Sequence, residues 1–177
     1  MDTAGVLSGD SPRSDEEAAF LGVFADHVAG WPFEDMSLKS LRVITLVPLI
    51  VVVDVPGLSA PQGHCTLQIG YWTDGPYGTA VEGQWGDDHL LDDHLYTSDG
   101  LTVIGVDAAP EVFASFAAGW LHRQLLRPVN RHDWLKGGKV VASRWQLGDS
   151  GLVLRTQAKL PALLLRTRPA DVIVRER

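Results

Sequence analysis

The densest polar chemistry in this sequence is Asp87-Asp88-His89-Leu90-Leu91-Asp92-Asp93-His94. Carboxylates and imidazoles are the ligand set of zinc, manganese and iron. On a helix, Asp88 and Asp92 share one face, and so do His89 and Asp93. A divalent metal held by Asp88, His89, Asp92 and His94 would relieve the repulsion among four acids and would make the chain a small metal-dependent hydrolase. The spacing matches no named motif such as His-Glu-x-x-His. A short capped helix, with Leu91 and Leu95 turned inward and the acids in water, accounts for the same residues. The expectation is therefore a protein without a cofactor, with the metal site as the alternative.

A second group is cationic. His122, Arg123, Arg127, Arg131 and His132 crowd one stretch, and Arg123 and Arg127 lie four apart on one helix face. Such a patch would hold a phosphate, a carboxylate or an acidic partner, or it would pair with the acidic first half of the same chain. The six tryptophans add a third candidate. Trp72 and Trp85 fall at the ends of expected strands, where indoles line grooves and interfaces.

Two short segments are similar to those of trypsin-like serine proteases. Gly63-His64-Cys65-Thr66 resembles the histidine segment, and Gly148-Asp149-Ser150-Gly151 the nucleophile segment, with Asp99 and Asp107 between them. The resemblance covers about eight residues and stops there. Leu152 follows where a second glycine usually continues the oxyanion loop, a strong helix occupies residues 110–127, and one cysteine cannot form the disulfides typical of that family. These segments are expected to be a strand start and a hairpin turn. His64 and Cys65 are adjacent, so on a strand they point to opposite faces and cannot exchange a proton. Cys65 is expected to be a buried structural thiol.

The elements that must position these groups follow from pattern. Ser14 caps a helix whose first turn is Asp15-Glu16-Glu17 and whose apolar positions recur three and four apart, until Gly30 and Pro32 end it. Leu41 to Val55 is β-branched and broken by Pro48, giving two short strands or a bulge. His64 to Trp72 and Thr79 to Trp85 flank Thr73-Asp74-Gly75-Pro76 as a hairpin, and Leu101 to Val106 is a further strand. Pro110 opens the clearest helix, with Phe113, Phe116, Ala117, Trp120 and Leu121 on its apolar face and Pro128 beyond its end. Arg131 to Lys136 is expected to add one more helical turn. Lys139 to Leu147 and Gly151 to Thr156 form a hairpin around Gly148-Asp149-Ser150.

Strands joined by turns imply an antiparallel sheet. The expected fold is thus α+β: six or seven mainly antiparallel strands packed by an N-terminal helix and the helix at about 110–127, with a C-terminal β-hairpin. Residues 1–13 are expected to be a flexible segment, and 14–177 a single domain of the size that buries its own core.

Charge narrows the function. The net charge of -7 hides a split. Residues 1–111 hold eighteen acids against three bases, a net -15, and residues 112–177 hold twelve bases against four acids, a net +8. Overall acidity and the absence of a recognition motif argue against nucleic acid. No stretch reads as a membrane span or signal peptide, and the single cysteine suits a reducing compartment, so a cytoplasmic protein is expected. These features favour a non-catalytic interaction protein that binds a protein partner or itself through acidic and basic faces. A small-molecule module using His122 and Arg123 is a further alternative.

Overall fold

The computed structural model describes residues 6–32, 41–55, 58, 65–76, 78–86, 99–158 and 168–176. The chain divides into two compact units, Met1–Leu126 and Arg127–Arg177, and the α+β class holds.

The first unit is a six-stranded sheet with two helices. Its strands are β1 (Leu7–Gly9), β2 (Leu41–Thr45), β3 (Leu49–Asp54), β4 (Thr66–Gly75), β5 (Gly78–Gly86) and β6 (Leu101–Val103), lying side by side in that order. All neighbours are antiparallel except β1, which pairs parallel to β2 with Leu7 opposite Leu41. The β-branched run from Leu41 divides at Pro48 into β2 and β3, because proline gives no N–H to a ladder.

Helix α1 (Asp15–Ala29) begins at Ser14, whose Oγ accepts from the Glu17 backbone N–H at 3.1 Å. The buried Glu17 carboxylate reaches back over this cap. It accepts from the Arg13 backbone N–H at 2.6 Å and from the Arg13 guanidinium at 3.0 Å. Helix α2 (Pro110–Leu125) carries proline in its first turn. The two helices pack on each other and against β4, and α2 also contacts β5. Phe20 of α1 stacks on Tyr71 of β4 at 4.3 Å between centroids, and Phe113 of α2 meets the same ring at 6.1 Å.

The buried face of α2 differs from the expected one at Phe116, which is 57% exposed. The arc that turns inward is Phe113, Ala114, Ala117, Ala118, Trp120, Leu121, Gln124 and Leu125. Phe116 falls just outside that arc at 100° per residue. The alanines let the helix approach closely, and Trp120 lies over Gly83. A Cβ on Gly83 would come within 2.7 Å of the Trp120 ring.

The second unit is a four-stranded antiparallel sheet in the order β10-β7-β8-β9, formed by β7 (Val129–Lys136), β8 (Lys139–Leu147), β9 (Val153–Ala158) and β10 (Val172–Arg175). Residues 131–136, expected as a helical turn, are strand β7 instead. The deciding feature is Gly137-Gly138. Both have positive φ (59° and 76°), as a two-residue hairpin turn matched to strand twist requires, and the turn folds β7 onto β8. The expected hairpin around Gly148-Asp149-Ser150 is the β8–β9 connection. The C-terminal apolar patch supplies β10, which pairs with β7. No helix among the described residues is long and apolar enough to cross a membrane.

Candidate functional site

The expected cationic patch divides between the two units. His122 and Arg123 lie in the last turn of α2, in the first unit, and Arg127 and Arg131 lie in the second. His122 stacks on the indole of Trp31, with 5.0 Å between centroids and planes 15° apart. Arg123 is exposed.

In the second unit the arginines hold acids of that same unit. Arg127 grips Asp149 with one edge of its guanidinium, Nε to Oδ2 at 2.9 Å and Nη2 to Oδ1 at 2.7 Å, and Nη2 also donates to Ser150 Oγ at 2.9 Å. The hydrogen bonding from Arg127 to Asp149 holds that carboxyl below the usual carboxylate range. Arg131 donates from Nε to Asp133 at 3.1 Å and from Nη1 to Glu176. Asp133 is buried and also accepts from Ser143 Oγ at 2.6 Å. A buried carboxylate is tolerated only when paired in this way. Arg127 and Arg131 thus each hold acids of their own unit.

Trp72 and Trp85 project from opposite faces of the six-stranded sheet, because Trp85 stands in register with Leu67 while Trp72 is five residues further along β4. Trp85 Nε1 donates to Gln124 Oε1 of α2 at 3.0 Å. Trp72 precedes the irregularity in the β4–β5 ladder. The two indoles do not line one groove.

The Asp88, His89, Asp92 and His94 cluster lies outside the described residues. Among those that are described, no group of three or more His, Cys, Asp or Glu is placed to hold a metal ion. Ser150 sits in the β8–β9 turn, where its Oγ accepts from Arg127 and from the Leu152 N–H, and His64 lies outside the described residues. Cys65 is a buried thiol.

The four-stranded sheet brings forward residues that the sequence did not single out. Two arginines lie over indoles, Arg144 over Trp134 at 5.3 Å and Arg155 over Trp145 at 6.0 Å. Three buried polar atoms among the described residues lack a hydrogen-bond partner: His132 Nε2, Arg144 Nε and Trp145 Nε1. The available signal was Gly137-Gly138, which marks β7 as a strand and so fixes which side chains share a face.

The division into units also sharpens the charge split. Met1–Leu126 holds eighteen acids against four bases, a net -14, and Arg127–Arg177 holds eleven bases against four acids, a net +7. Comparison with known proteins gave no match to a family model, a curated protein or a solved structure.

Proposed function

We propose that the chain is a non-catalytic interaction protein, of the adaptor, inhibitor or assembly-subunit kind. It engages a protein partner, or a second copy of itself, through oppositely charged units. The observation that carries this reading is the coincidence of two boundaries. The charge changes sign between Glu111 and Arg127, and one compact unit gives way to the other after Leu126.

Acids on the first unit, among them Asp15, Glu16, Asp26, Asp54 and Asp74, are exposed. On the second unit Lys136 and Lys139 flank the exposed β7–β8 turn. Fields of one sign steer encounter with a partner of the other sign and select against partners of the same sign.

Light scattering across a salt series tests the proposal, with a pull-down run beside it at low salt. The expected result is a mass above the 19.2 kDa of one chain, or a stoichiometric protein partner, lost as ionic strength shortens the screening length from about 10 Å at 0.1 M to about 3 Å at 1 M. A salt-independent monomer that retains no stoichiometric partner would refute it.

A further inference from the structure

Alternation along β7 and β8 places His132, Trp134 and Arg144 on one face of the four-stranded sheet. His132 stands directly opposite Arg144, and Arg144 directly opposite Thr156 of β9. The guanidinium of Arg144 lies over the Trp134 ring, which fixes its plane. His132 Nε2 and Arg144 Nε are both out of water and without a hydrogen-bond partner. Arg144 Nε–H is a donor, His132 Nε2 is one when it carries the ring proton, and neither atom has a hydrogen-bond partner.

No acid of the unit meets them. The unit has four acidic residues, and each is held by another arginine: Asp133 and Glu176 by Arg131, Asp149 by Arg127, and Asp171 by Arg168. Among the described residues, no ion pair reaches Arg144. A partly buried cation with an unused donor edge is costly unless an anion meets it. Arg127 shows the mode of pairing in the same unit, where Nε and Nη2 together hold a carboxylate.

We propose that His132 and Arg144 form an oxyanion-binding site, which takes a carboxylate or phosphate group on the Nε edge of a guanidinium held in place by Trp134. Thr156, next in the row, offers a hydroxyl to the same group. The site is separate from the charge-driven association proposed above. An isolated monomer would still bind the anion, and a salt-sensitive assembly would survive loss of the site.

The test is an NMR titration of the full chain with inorganic phosphate and, separately, with acetate, ionic strength being held constant with sodium chloride. The Arg144 Nε–H and His132 ring signals are expected to shift and saturate in the low millimolar range or below. Saturation by phosphate alone assigns a phosphate group, and saturation by acetate assigns a carboxylate. Arg144→Lys keeps the charge but loses the planar edge, and should weaken binding by about tenfold or more. His132→Ala provides an independent check should the lysine variant fold poorly. Shifts that grow without saturation for both anions, or saturation that persists in the variants, would overturn the assignment.

Discussion

Alkaline pH should destabilise this protein through Tyr71. The ring lies at the centre of β4, 2% exposed, stacked on Phe20 and against Phe113. Burial pushes its phenol up from the ordinary value near 10 to about 12, and the carboxylates of Glu16, Glu111 and Glu17 push the same way. Between pH 10 and pH 12 the unfolded chain has released this proton while the folded chain keeps it. Stability from this group is therefore complete below about pH 10 and is lost as the pH rises toward 12. Each unit is worth about 1.4 kcal/mol, so the full loss is about 3 kcal/mol, a large part of the roughly 5–15 kcal/mol that holds an ordinary domain together. Urea unfolding of the wild type and of Tyr71→Phe over this range isolates the effect, since every other group titrates in both. The difference between the two should move by about 3 kcal/mol in favour of the phenylalanine variant. Parallel losses would refute the argument that helix packing holds this hydroxyl protonated.

Gly83→Ala should destabilise the first unit by about 1–3 kcal/mol in thermal melts, because its Cβ would need space now filled by the Trp120 ring and by Ile69. Gly138→Ala should cost about 1–2 kcal/mol, since Gly138 holds φ at +76°. Limited proteolysis should locate the resulting loosening in residues 127–177. Asp149→Asn should cost less than about 1 kcal/mol at neutral pH, since the Asp149 side chain is 48% exposed. That wild-type advantage should vanish as the pH falls through the lowered Asp149 pKa, as paired unfolding curves at neutral and acid pH would show.

Most elements of the first unit were legible because each carries a local signal; β1 is the exception, since Leu7–Gly9 has no strand signal of its own and is held by pairing with β2. Ser14 and its three acids mark the start of α1, Pro110 opens α2, Pro48 separates β2 from β3, and the turn expected at Thr73 to Pro76 falls at the end of that segment, since β4 runs on to Gly75. Two expectations differed from the structure. Phe116 satisfies helical periodicity as well as Phe113 does, and only the position of the sheet decides which phenylalanine is covered. Residues 131–136 contain helix-compatible Arg, Leu and Lys, but the paired glycines at 137–138 commit them to a hairpin. With β7 a strand, Arg131 and His132 point to opposite faces, so a row of cations that looks like one patch in the sequence is divided in space.

By itself the sequence determined the α+β class, the α1 cap, the β8–β9 turn, and an acidic first part followed by a basic second one. These depend on residue type and short spacing, which the chain carries locally. Tertiary structure decided which arginines are held by acids and which buried donors are not. It drew Arg127 to Asp149 and Arg131 to Asp133 and Glu176, and it set Arg144 opposite His132, where no ion pair among the described residues reaches it. Arg131 and Asp133 share one strand, but the Arg127–Asp149 and Arg131–Glu176 pairs join segments far apart in sequence, and those distances exist only once the sheet has formed.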